Sequence, residues 1–288
     1  MENKSEDFGY EPFADTEEYR EVNRAIVRNW VAKMRAAGSR NLKTVLDLAT
    51  GVGTMTELLL EAIPGSDLPE EVVCVDMNAQ ALEEAERNLK GRVRNLRLVH
   101  ATLQKLSLEV ESVDAAIWGN GIHYLSAEEQ QAACRNVRRT VKKNGWFFLN
   151  SAFYEEARPA GTMAFYRSQI ARAVRNLRSL GIARDRNQVH PDSANFLPLS
   201  HYERLLVLAG FEVEAMEQIE ARLYRSALEK ISGFSQYAAG ALHGYPPEAA
   251  AVAMREAVAP SLEEYGERDE HNEPYIARNW LSAIARAV

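Results

Sequence analysis

Two short stretches carry residues whose types and spacing could do chemistry. The first is Val45-Leu46-Asp47-Leu48-Ala49-Thr50-Gly51-Val52-Gly53-Thr54. An apolar run with one acid breaks at Gly51 and Gly53, and a helical pattern follows at once in Met55, Leu58, Leu59 and Leu60. A strand, a glycine turn and a helix in that order bring backbone close to a ligand and aim helix N–H groups at it. The second is Val72-Val73-Cys74-Val75-Asp76-Met77, another apolar run ending in an acid, with Asn78 opening the next helix through Ala81, Leu82, Ala85 and Leu89. A carboxylate at such a strand end can accept from both hydroxyls of a ribose. A metal site is not expected, because the sequence holds no HExxH, no CxxC and no cluster of acids at ligand spacing.

Residues 43–150 supply the elements that must position these groups. Strands are predicted at 44–48, 71–75, 96–99, 113–118 and 146–151, and helices at 54–62, 78–90 and 126–140. Such a series folds as a parallel sheet covered on both faces, with ligands beyond the carboxyl ends of the strands at the switch point. Asp47, Asp76 and Asn120 all fall at such ends. With these residues in view, the chain resembles the class I S-adenosylmethionine (SAM) methyltransferases. Residues 46–54 look like the first motif of that family and residues 72–78 like the second. Residues 113–124 are similar to its fourth strand and the loop after it, and residues 142–149 to the turn before its fifth strand. Two positions depart from the family pattern. Ala49 replaces the first glycine, which is tolerable if the position does not need positive φ. Ala101 or Thr102 stands where the family often places an acid near the adenine amino group.

The resemblance implies an α/β fold, a doubly wound, mostly parallel seven-stranded Rossmann-like sheet with a helical cap. It implies residues 1–38 as an N-terminal helix covering the cofactor, 39–154 as the SAM-binding core and 155–199 as a cap insertion. Residues 200–225 would continue the core, 226–270 form a second cap insertion, and 271–288 return the last strand antiparallel. The cofactor site is expected from Tyr19, Asp47, Ala49, Thr50, Gly51, Gly53, Asp76, Met77, Thr102, Leu103 and Asn120. The donor would be SAM and the product S-adenosylhomocysteine. His123, three residues past Asn120, is the first choice of general base and Tyr154 the next catalytic candidate. Each has a plainer alternative: Tyr19 packing only, Asp47 bracing the glycine turn, His123 ordering its loop. The other histidines, at 100, 190, 201, 243 and 271, read as surface residues.

The function this points to is methyl transfer from SAM to a small, largely apolar molecule, in an apolar pocket lined by aromatics. Methylation of carbon on an isoprenoid or lipid-like acceptor is the alternative, and a SAM-binding protein without transfer is another. A nicotinamide oxidoreductase would want a glycine where Thr56 or Glu57 stands. Of 288 residues, 46% are hydrophobic and 26% charged, which suits one α/β domain with an added cap. The net charge of −7 argues against general nucleic-acid binding. Two cysteines make no disulfide framework, and no apolar run approaches ~18 residues, so a cytoplasmic protein without a membrane span is expected. The arginines from 167 to 186 read as a solvated face, because Met163, Tyr166, Ile170, Val174 and Leu177 fall on the opposite arc of one helix.

Overall fold

A computed structural model of the chain describes residues 9–188 and 196–288. Thr16 starts the first long helix. Its hydroxyl accepts from Tyr19 N–H at 3.3 Å and donates to Phe13 O at 2.7 Å. In chain order the elements are α1 (Glu11–Ala14), α2 (Glu17–Ala36), β1 (Thr44–Leu48), α3 (Thr54–Ala62), β2 (Glu71–Asp76) and α4 (Ala79–Leu89). Then come β3 (Asn95–His100), β4 (Val113–Gly119), α5 (Ala127–Thr140), β5 (Val141–Ser151), α6 (Met163–Ser179) and α7 (Leu199–Ala209). Last are β6 (Phe211–Tyr224), α8 (Arg225–Gly233), α9 (Ser235–Ala241), α10 (Pro247–Glu256), α11 (Val258–Tyr265), β7 (Glu267–Arg268) and β8 (Pro274–Ala287).

The sheet runs β3-β2-β1-β4-β5-β8-β6, with the two-residue β7 paired to β8. β1 pairs in parallel with β2 on one side and β4 on the other, and β8 returns antiparallel to β5. The registers Leu48↔Val75 and Leu48↔Trp118 set the carboxyl ends of β1, β2 and β4 level. The residues that follow them, Ala49, Asp76 and the loop from Gly119, therefore emerge together where the strand order reverses.

Contacts divide the chain into two units. The first comprises 22–154, 197–219 and 280–288 and carries most of the sheet. Its core takes up the stripe Val22, Ile26, Trp30 and Met34 of α2. Trp30 stacks on Phe148 at 5.3 Å and donates from Nε1 to Ser282 Oγ at 2.9 Å. The second unit comprises the described residues of 1–21, 155–196 and 220–279 and is mainly helical. Leu177, Leu242, Tyr245 and Met254 make its core, with Ala250, Ala251 and Ala253 allowing close helix approach. Gln169 is buried there and donates to Ser232 Oγ and Met254 O. Arg167, Arg175 and Arg178 are exposed on the outer arc of α6, as read from the sequence.

Three local expectations change. The sequence predicts one helix over 226–241 and one over 247–264; each is two, broken at Phe234, which is extended (φ −71°, ψ 117°), and at Ala257. The sequence predicts a strand over 211–216, and the strand runs on to Tyr224. As the last strand in the order it mixes exposed acids with half-buried positions, which blurs the period-2 signal. The fifth strand starts at Val141, not 146: Val113↔Val141 pairs, then the ladder resumes at Ala115↔Trp146 across a bulge. A Cβ at Gly145 in that bulge would meet Asp114 O at 2.8 Å, so the turn needs glycine. Both cysteines are free and buried, their thiols pushed up to about 12 by burial. Among the described residues no helix is long and apolar enough to cross a membrane. His190 and Pro191 lie outside the described residues.

Candidate active site

The glycine turn is built from alternating left-handed residues: Ala49 at φ 51°, Gly51 at 54° and Gly53 at 90°. Ala49 thus occupies the conformation that would have made its substitution for glycine costly, and it is the strained member of the turn. Its methyl has room because residue 121 is glycine; a Cβ there would meet Ala49 Cβ at 2.9 Å and Trp118 Nε1 at 2.8 Å. Gly51 has open space around it and needs glycine for φ alone. Gly53 caps α3 without a side-chain bond, which leaves the helix N-terminus open toward a ligand.

Two acids brace this turn differently. Asp47 is 1% exposed and accepts from Thr50 Oγ1 at 2.7 Å and Thr56 Oγ1 at 2.6 Å. Burial raises its carboxyl from 3.8 to about 6, against the pull of those two hydroxyls. It ties the turn to α3. Asp76 reaches across: Oδ2 accepts from Gly51 N–H and Oδ1 from Asn78 N–H, each at 2.8 Å. Each oxygen keeps a second lone pair, so the carboxylate can still accept two hydroxyls. Beside it Met77 is 71% exposed, and its carbonyl lies 2.9 Å from His100 Nε2. Thr102 leads into a single 3-10 turn, Leu103–Lys105, and both Thr102 and Leu103 are half-buried.

Asn120, also left-handed at φ 48°, closes the other wall. Its N–H donates to Asn150 O at 3.0 Å, and its side-chain oxygen accepts from Ala152 N–H at 2.8 Å. It fastens the β4 loop to the end of β5. His123 follows in the turn Ile122–Tyr124, 3% exposed, its ring stacked on Phe153 at 4.1 Å and tilted against Tyr124 at 4.1 Å. Tyr154, next in sequence to Phe153, is fully buried. Tyr19 belongs to the helical unit, where it packs edge-on against Tyr10 and Phe13.

The structure gives a new place to one residue that the sequence reading left on the surface. His201, read as a surface residue, is half-buried in α7, and its Nε2 lies 2.9 Å from Gln130 Oε1. Burial lowers its pKa, with Arg204 adding to the effect. Gln130 in turn donates to Ile122 O and Leu125 O, on either side of His123. Trp118 holds a buried indole N–H beside Ala49 and Gly121. No spacing rule marks the contact of His201 with Gln130, since it joins two helices far apart in sequence.

Residues 45–145 match the family described as a methyltransferase domain. Residues 45–145 carry a SAM-dependent methyltransferase domain. Over 176 residues it is 28% identical to the ubiquinone/menaquinone biosynthesis C-methyltransferase UbiE of Syntrophotalea carbinolica, covering 60% of this chain and 70% of that one. The YcgJ protein of Bacillus subtilis superposes with a TM-score of 0.54 at 16% identity, over 90% of this chain and 97% of its own. The (4+2)-cyclase SpnF superposes with a TM-score of 0.51 at 16% identity, over 91% and 81%. At those identities the two structures speak for the fold alone. The donor of a domain of this kind is SAM; here α3 starts without a side-chain cap, and Asp76 keeps free lone pairs beside the exposed Met77.

Proposed function

We propose that this domain methylates a small, largely apolar molecule, with Asp76 holding the ribose of SAM and His123 accepting the acceptor's proton. Ala49, Thr50, Gly51 and Gly53 would seat the methionine end, with Asp47 holding their turn in shape. Met77, Thr102 and Leu103 would bound the adenine. When bound, SAM supplies an electrophilic methyl group whose leaving group is a neutral thioether. The chain then has to orient the acceptor, exclude water and manage one proton.

The observation that carries this reading is the buried wall at the ends of β4 and β5, where His123 stacks on Phe153 beside Tyr154. An imidazole on an apolar wall is shielded from water, and its two nitrogens suit it to proton transfer near neutral pH. Asn120 and Gln130 fix the loop from both ends, so the ring is preorganised. Residues 1–38, 155–199 and 226–270 are assigned to covering the cofactor and selecting the acceptor.

The test is methyl transfer from labelled SAM to a panel of small apolar acceptors, with His123→Asn as the variant. Turnover is expected to fall at least tenfold, within the ~10²–10⁴-fold that a general base contributes, while affinity for SAM stays within a few-fold. Unchanged turnover would make His123 a loop-ordering residue and move the base to Tyr154. A second reading, carbon methylation of an isoprenoid-like acceptor, is favoured by the likeness to a C-methyltransferase of quinone biosynthesis.

A further inference from the structure

The four tryptophans of the chain differ in what their indole N–H groups meet. Trp30 donates to Ser282 Oγ at 2.9 Å and Trp146 to Ser39 Oγ at 3.1 Å. Trp118 and Trp280 are fully buried, and among the described residues neither indole finds an acceptor. Trp280 lies in β8, two strands away from β4. Trp118 stands at the glycine turn. In the sheet it pairs with Leu48, the residue before Ala49. A Cβ on Gly121 would meet its Nε1 at 2.8 Å and the Ala49 methyl at 2.9 Å, so both atoms face the same point.

An N–H sealed from water without an acceptor loses its hydration and recovers nothing. A buried tryptophan usually has a partner for that reason. The folded chain is therefore stabilised when an oxygen is brought to this place. Gly121 permits it, because its backbone can shift without moving a side chain. The methionine end of SAM carries an ammonium, a sulfonium and a carboxylate, and of these only the carboxylate accepts a hydrogen bond. The same turn runs into the N-terminus of α3, which no side chain caps and whose positive end favours an anion. We propose that the Trp118 indole N–H donates to the carboxylate of the bound methyl donor. Trp118 then separates donors that carry an amino acid end from bare nucleosides. This rests on the reading of Ala49 to Gly53 as the seat of the methionine end.

The experiment uses the full chain labelled with nitrogen-15 at tryptophan. The Trp118 indole resonance is assigned by its absence from Trp118→Phe or, if that variant does not fold, by elimination with Phe at 30, 146 and 280 in turn. S-adenosylhomocysteine is titrated first. Methylthioadenosine, which keeps the nucleoside and thioether but lacks the amino acid end, is titrated separately. The Trp118 resonance is expected to move downfield and saturate with S-adenosylhomocysteine and to hold still with methylthioadenosine. The Trp30 and Trp146 resonances, whose indoles already have serine acceptors, serve as references. By calorimetry, Trp118→Phe should bind S-adenosylhomocysteine roughly tenfold more weakly or worse, the scale of a hydrogen bond to a charged group, with methylthioadenosine unaffected. A resonance that stays still in a chain saturated with S-adenosylhomocysteine overturns the proposal alone. An equal shift with both compounds puts the nucleoside at the turn, and overturns the seating of the methionine end as well. No binding of S-adenosylhomocysteine to the parent would sink both along with the SAM reading.

Discussion

Asp47 and Ala49 sit two residues apart, and each is held in a state it would not choose alone. Burial raises the Asp47 carboxyl from 3.8 to about 6, so between those values the folded protein keeps a proton that the unfolded chain releases. Its contribution to stability is present below pH ~4 and lost as pH rises through ~6, about 3 kcal/mol for a shift of ~2 pK units. Urea denaturation across that window should show the parent losing stability relative to Asp47→Asn, which cannot titrate; parallel curves would mean the carboxyl is ionised throughout. Ala49 at φ 51° carries ~1–2 kcal/mol of left-handed strain. Ala49→Gly relieves it but returns ~0.4–1 kcal/mol of entropy to the unfolded chain, so a net gain near 1 kcal/mol or less is expected in the same measurement. At Asp76 the structure adds a cost to a simple cofactor test. Asp76→Ala should weaken S-adenosylhomocysteine binding by ~1.5–3 kcal/mol and also destabilise the fold by about 1 kcal/mol, because two partly exposed backbone amides lose their acceptor. Calorimetry and denaturation together read both; unaltered affinity would remove Asp76 from the ribose.

At the scale of elements, the loop that carries His123 is held from two directions. Asn120 latches it to the end of β5, and Gln130 of α5 donates to both carbonyls that flank the turn while α7 presents His201 to the other side of the amide. Helix α5 itself is fixed by a capping box at Ser126 and Glu129, so the amide arrives on a rigid support. Gln130→Leu removes the side-chain donor from the partly buried Leu125 O, while Ile122 O keeps the Leu125 N–H at 3.2 Å, an expected loss of ~1–2 kcal/mol in unfolding free energy. If the loop preorganises His123, turnover should fall in Gln130→Leu while the donor's affinity holds. Full turnover in a destabilised variant would show that the latch serves stability alone.

At the scale of the molecule, residues 45–145 match a methyltransferase domain, and the helical unit is a body with its own core. A ligand that binds only the folded state stabilises it by about 2.7 kcal/mol at a hundredfold excess over Kd. For a chain of this size that raises the melting midpoint by several degrees, at roughly 2–4 °C per kcal/mol. S-adenosylhomocysteine should produce that rise and nicotinamide dinucleotide should not. An equal rise with both would reopen the oxidoreductase reading that Thr56 and Glu57 argued against.

The sequence alone determined the strand–turn–helix order, the two acids at strand ends and the glycine turn, because those depend on neighbours within a few residues and on the apolar period. The antiparallel return of the last strand was what the family resemblance implied, not a reading of local pattern. It did not determine that Ala49 would take positive φ, since the tolerance comes from Gly121, seventy-two residues away. Nor did it reveal the Gln130–His201 contact, the continuation of β6 along an edge, or the Arg158–Tyr166–Arg278 cluster, whose members come from α6, β8 and a loop. Those are long-range meetings of polar groups. A polar side chain carries no periodic mark of which partner it will meet, and only the packed structure removes water from around it and makes that partner necessary.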